Sequence, residues 1–146
     1  MKFLLLSFLL LSQAFALTPF SLENLSSLNP KVLDKKKSLD PKFKELLEKK
    51  LQQKLESIGI KTQSNSFSNL LIKIDSTKVG EKFLCYISLV LVEDVVIQRD
   101  KPTKAIAITY SKDDKFVTNF FEEDVLESIE FLLDDFATQY SEENEI

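Results

Sequence analysis

Asp113-Asp114 and the run Glu122-Glu123-Asp124 are the residues of this chain whose types and spacing could do chemistry. Adjacent carboxylates can ligate calcium through hard oxygen donors, or divide into the acid and base of glycoside hydrolysis. Neither group shows the alternating ligand spacing of a calcium loop, and a chain with so few loops offers little cleft for a sugar. A third acidic pair, Glu93-Asp94, interrupts an apolar run on both strand parities at once. Charge there is costly to bury, so the pair predicts a bulge, a bend, or the point where the strand leaves its cover. An exposed bend is the plainer reading than a functional carboxylate pair.

Other chemistry is excluded by what the composition lacks. With no histidine among 146 residues, Ser-His-Asp and Cys-His mechanisms and the usual zinc sites are closed. Gly59 and Gly80 are the only glycines, so there is no phosphate-cradling loop. Cys85 stands mid-strand among apolar residues with no adjacent base, the setting of an inert core thiol and not of a nucleophile. The expectation is a protein that is not an enzyme, with no catalytic residue, no metal and no cofactor.

The elements that must position any site are organised around Phe83 to Arg99, FLCYISLVLVEDVVIQR. Its β-branched and aromatic content predicts a strand, with Cys85, Ile87, Leu89 and Leu91 on one face and Leu84, Tyr86, Val90 and Val92 on the other. Both faces want cover. Before it, Leu70, Ile72 and Ile74 alternate with Leu71, Lys73 and Asp75, a half-buried strand over 69–77. After the turn Asp100-Lys101-Pro102, residues 103–112 predict a third strand, with Ile106, Ile108 and Tyr110 on one side and Ala105, Ala107 and Thr109 on the other. Short connections make these an antiparallel meander.

Two helices flank the strands. The first opens at Asp40 as cap with Pro41 in its first turn and closes at Gly59, and Phe43, Leu46, Leu47, Leu51, Leu55 and Ile58 form its apolar stripe. The second opens at Asn119, with Glu122 completing a capping box, and carries Phe121, Val125, Ile129, Leu132, Leu133, Phe136 and Tyr140 at helical spacing to about Tyr140. Residues 116–146 hold ten carboxylate side chains and no lysine or arginine, whereas residues 31–61 hold ten lysines against five acids. Opposite charge predicts helices side by side on one sheet face with ion pairs along the seam, each worth about 0.2–1 kcal/mol. The fold class expected is α+β, a three-stranded antiparallel meander with two helices packed on one face, in the order α-β-β-β-α.

At the amino terminus, Lys2, the apolar run Phe3 to Leu11 and Ala14-Phe15-Ala16 read as a secretory signal peptide over 1–16, too short for a membrane anchor of ~20 residues. Residues 17–38 mix Ser, Asn and Pro with isolated leucines and predict a flexible arm or linker, leaving 39–146 as a single domain. Within the arm, Asn24-Leu25-Ser26 matches a glycosylation acceptor, and Lys35, Lys36 and Lys37 form a basic run read as solvated linker rather than a phosphate or headgroup contact. A single cysteine allows no internal disulfide, which suits a bacterial periplasm better than an animal extracellular space. Net charge −4 and export argue against nucleic acid as a partner.

The order of helix, three antiparallel strands and helix, over about Asp40 to Tyr140, resembles the small α+β domains of Gram-negative periplasmic proteins, such as the amino-terminal domain of TolB and CsgG-like modules. The resemblance is one of layout and transfers no residue roles. It implies envelope assembly or scaffolding without catalysis. From the residues themselves, two helices cover one sheet face and leave Leu84, Tyr86, Val90 and Val92 as the candidate binding residues, for a protein partner or self-association through the sheet face or its edge. The acidic helix face is a secondary electrostatic surface, for which metal binding is a further reading. The alternative is a periplasmic carrier taking a lipid or other apolar ligand on that face or in a groove, which 12 phenylalanines permit.

Overall fold

The computed structural model of the protein describes residues 21–63 and 65–145. The signal-peptide reading of 1–16 lies outside the described residues. In chain order the elements are β1 (Ser27–Asp34), α1 (Pro41–Ser57), β2 (Lys61–Thr62), β3 (Asn69–Val79), β4 (Lys82–Ile97), β5 (Thr103–Thr118) and α2 (Phe121–Glu143). The α+β class holds, but the three-stranded meander does not. The strands form one mixed five-stranded sheet in the order β2-β1-β3-β4-β5.

The correction comes from the segment read as an arm. β1 pairs in parallel with β3 from Asn29↔Asn69 to Asp34↔Ile74, and in parallel with β2 at Ser27↔Lys61 and Leu28↔Thr62. Parallel neighbours cannot be joined by a tight turn, so α1 carries the chain over the sheet between them. Pro30 is tolerated inside β1 by geometry. The Asn29 N–H donates to the Ser68 carbonyl on the β3 side, at 2.9 Å, so the next residue faces the other edge, where β2 has already ended. A residue without an N–H leaves no ladder bond unmade there.

Ahead of β1 the chain is fastened to the end of α2. Leu22 N donates to Glu143 Oε2 at 2.6 Å, Asn24 N donates to Asn144 Oδ1 at 2.8 Å, and Leu22 and Leu25 are buried. Lys36, from the basic run, reaches β3: its ammonium donates to the Ser76 carbonyl and Thr77 Oγ1, and pairs with Asp75 at 2.8 Å.

One core fills the space between the helices and one face of the sheet. Leu28 and Val32 of β1, Leu70, Ile72 and Ile74 of β3, Cys85, Ile87, Leu89 and Leu91 of β4 and Tyr110 of β5 meet Leu47, Leu51 and Leu55 of α1 and Val125, Ile129, Leu132, Leu133 and Phe136 of α2. Asp40 caps α1 through Lys42 N and Phe43 N, and Gly59 at φ +84° turns the chain so that Ile60 is buried. Leu46, read into the α1 stripe, is exposed. At the start of α2, Asn119 is not the cap. The N-cap is Phe120, which has no side-chain cap; two residues before it the Thr118 hydroxyl accepts from Phe120 N at 2.7 Å and donates to Asp124 of the first turn. The helix seam carries Lys50 against Glu130 and Lys54 against Asp134, the latter at 2.5 Å.

β4 and β5 form a long hairpin that is irregular at one place. Leu91 pairs with Tyr110 but Val92 pairs with Ile108, so Thr109 is an extra residue. Glu93 ties the bulge down: its carboxylate accepts from Thr109 Oγ1 at 2.6 Å and from Ser68 Oγ at 2.7 Å. An inserted residue inverts strand parity. Tyr110 therefore enters the core while Ile106 and Ile108, expected beside it, turn to the opposite face, level with Asp94 and Val92.

Candidate functional site

The sheet face away from the helices is built in cross-strand rows by the register. Lys31, Leu71, Val90 and Ser111 form one row; Leu33, Lys73, Ser88 and Asp113 the next; then Asp75, Tyr86 and Lys115, and last Thr77, Leu84 and Val117. Past the bulge, Val92 with Ile108, Asp94 with Ile106, and Val96 with Lys104 continue the same face along the hairpin. Ile106 is 75% exposed, Ile108 59%, Val117 61%, Val96 53%, Leu84 52% and Tyr86 40%. These residues fall in two exposed apolar clusters, Leu84, Tyr86 and Val117 at one end and Ile108, Ile106 and Val96 at the other, and such clusters mark candidate interaction surfaces.

The four candidate binding residues all lie on this face, but they differ. Leu84 and Tyr86 are exposed, Val92 is half-buried, and Val90 is only 4% exposed. Val90 is a central-strand residue flanked by Leu71 on β3 and Ser111 on β5, and neighbours on both sides shade it. Sequence reasoning misses Ile106, Ile108, Val96 and Val117. Glu93-Asp94 signals an irregularity there, but only the register shows that the extra residue is Thr109 on β5, which turns the isoleucines to this face.

Four charges punctuate the face around Ser88 and Tyr86: Lys73 and Asp75 on β3, Asp113 and Lys115 on β5. Lys115 pairs with Asp113 at 3.4 Å and holds its ammonium 5.0 Å from the Tyr86 ring centre. The Lys36 ammonium hydrogen-bonded to Asp75 holds that carboxyl below its ordinary value. Along the free edge of β5, Lys112, Asp113, Asp114 and Lys115 put four consecutive charges, which discourages strand addition there.

The sequence's chemical candidates have structural positions. Asp114 Oδ1 accepts from Lys115 N at 2.8 Å, Asp124 serves Thr118, and Glu122 and Glu123 are exposed in the first turn of α2, where carboxylates suit the helix dipole. Among the described residues, no three Asp, Glu or Cys side chains gather as a metal site would require. The groove between the helices, about 340 Å³, is lined by Lys50, Gln53, Lys54, Glu130, Leu133 and Asp134, with the Lys50–Glu130 and Lys54–Asp134 pairs at its rim.

Cys85 is fully buried, and burial pushes its thiol above the ordinary value, with Asp124 adding to the effect. Native protein is expected to leave a thiol-reactive chromogenic disulfide unchanged over an hour and to consume one equivalent on denaturation; rapid native reaction would place Cys85 at the surface. Tyr110 donates its hydroxyl to Asp135 at 3.2 Å, and burial, with Asp135 second, raises its phenol well above the ordinary range. A folded value above the unfolded ~10 means stability is intact below about pH 10 and is lost as pH rises beyond it. The drop in urea midpoint between pH 8 and about pH 11 should be smaller in Tyr110→Phe than in the parent, and equal drops would contradict the assignment.

No transmembrane-length apolar helix occurs among the described residues. Comparison with protein-family models finds no family that matches this chain, and comparison with curated proteins likewise finds no match.

Proposed function

We propose that this is an exported, non-enzymatic interaction protein of a bacterial envelope that docks through the open face of its sheet. The observation that carries the reading is a pair of exposed apolar clusters, Val117, Leu84 and Tyr86 at one end and Ile108, Ile106 and Val96 at the other, on the sheet face opposite the one the helices pack against. Burial of such surface contributes roughly 25 cal/mol per Å², so leaving it in water is unfavourable. Export is supported by Lys2, the apolar run Phe3 to Leu11 and the Ala14-Phe15-Ala16 pattern.

A photo-crosslinking amino acid in place of Tyr86, expressed in the full chain, is expected to give a discrete adduct on illumination in cells. The same group in place of Glu48, exposed on the outer face of α1, gives none. Equal labelling from both positions, or no adduct from Tyr86 and from Leu84, would overturn the docking reading.

A further inference from the structure

We infer that the occupant of the open face is a second copy of this chain, related by a twofold axis that lies in the interface, crosses β4 at right angles and passes level with Ile87. This rests on the docking reading and names its partner.

A closed twofold dimer presents one patch to itself, so charges on the patch must be arranged to meet their opposites when it is turned over. The four charges at the centre of this face are so arranged. Lys73 and Asp113 lie in the row of Ser88, and Asp75 and Lys115 lie in the row of Tyr86. Rotation about the axis through Ile87 exchanges those two rows while keeping each strand over its own copy. Lys73 then meets the partner's Asp75, and Asp113 meets the partner's Lys115. The neighbouring rows exchange as well: Val90 opposes the partner's Leu84, and Ser111 opposes the partner's Val117. The hairpin carrying Ile106 and Ile108 extends toward the partner's Val117 end, where exposed apolar surface also lies. Lys73 is in no ion pair among the described residues, so the partner's Asp75 supplies a contact its own chain lacks.

The other in-plane twofold, along β4, also opposes Lys73 with the partner's Asp113. It stacks Asp94 on the partner's Asp94, however, whereas the crosswise axis sets Asp94 level with the partner's Gly80, beyond its strands. Like charges set directly opposite in a face-to-face sheet contact select against that arrangement. With strands ~4.8 Å apart and ~3.3 Å per residue, the three strands β3, β4 and β5 over the span of Leu84 to Val92 present on the order of 400 Å², against ~800 Å² per partner in a stable interface, which makes the dimer a weak one.

Asp113 and Lys115 are exposed and paired with each other, so they can be changed without touching the core. Asp113→Lys places two lysines against each other twice in the dimer, and is expected to raise the dimer dissociation constant at least tenfold by sedimentation equilibrium. Exchanging the pair, Asp113→Lys with Lys115→Asp, restores opposition about the crosswise axis and returns the constant to within about threefold of the parent. About the lengthwise axis the exchange would instead set the introduced lysine against the partner's Lys73, and rescue nothing. Rescue in the exchanged variant, with an unfolding midpoint equal to the parent's, supports the proposal. A monomeric parent at high micromolar concentration, or an exchanged variant as weak as the single one, overturns it. The Tyr86 adduct separates this failure from failure of the docking reading: an adduct at twice the chain mass is the dimer, an adduct of any other mass keeps docking and removes self-association, and no adduct removes both.

Discussion

Phe136→Ala is expected to lower the free energy of unfolding by about 3–5 kcal/mol, the cost of a large aromatic deleted from a core that cannot collapse around the gap. Phe136 is fully buried on α2, and its ring meets Tyr110 edge-on at a centroid distance of 5.2 Å and an angle of 88°. Tyr110 is held in turn by Asp135, one residue before Phe136, so the truncation removes the wall against which the tyrosine is positioned. The loss is at least about a fifth of the ~5–15 kcal/mol that holds a typical domain. Urea unfolding of the parent and the variant measures it. Phe136→Leu keeps most of the volume and should lose well under half as much, whereas Phe131→Ala, five residues earlier on the exposed side of the same helix, should change stability by no more than about 0.5 kcal/mol. A loss below about 1 kcal/mol for Phe136→Ala would mean that the α2 stripe is not the packed face.

What the residues disclose in advance is local, and what they withhold depends on distant pairing. Asp40, Pro41 and Gly59 mark α1 because a cap, a first-turn proline and a left-handed glycine act within a few residues of one another. The two-faced character of β4 is equally local, since alternation is a property of one strand. β1 escapes because nothing near it in sequence states its partner. Asn29-Pro30-Lys31 reads as loop chemistry, and only the end of β2, more than thirty residues away, makes Pro30 acceptable in a strand. The bulge is half legible. Glu93-Asp94 announces an irregularity, but the inserted residue is Thr109 on the opposite strand, so the faces of Ile106 and Ile108 cannot be assigned without the register. Val90 shows the same limit in the candidate site: its face is legible in the alternation, while its burial follows from having β3 on one side and β5 on the other. A charge placed at Val90 would therefore test folding as much as docking, and Leu84, Ile106 and Ile108 are the informative positions.

The second large effect concerns the segment that the sequence presents as dispensable. A chain that begins at Leu39 is expected not to fold, although residues 39–146 contain both helices and the whole β3-β4-β5 hairpin series. Removing the preceding residues strips Leu22, Leu25, Leu28 and Val32 from the core. At about 1.5–3 kcal/mol for each fully buried aliphatic side chain, the loss is roughly 6–12 kcal/mol, comparable to the entire stability of a domain. It also opens the edge of β3 from Asn69 to Ile74, where unpaired N–H and C=O groups recruit strands from other molecules. The truncated chain should show no cooperative thermal transition and should aggregate. A point variant isolates the cause from the bulk of the deletion. Leu28→Ala, at a residue with no exposed surface, should cost about 2–5 kcal/mol in the full chain, while Lys31→Ala, on the open face of the same strand, should cost less than about 1 kcal/mol. A cooperative transition at the parent midpoint in the truncated chain would restore the detachable arm and remove β1 from the sheet. The open face depends on the same strand: without β1 beside it, β3 becomes an edge, and the rows that carry Lys73 and Asp75 lose the neighbour that holds them in register.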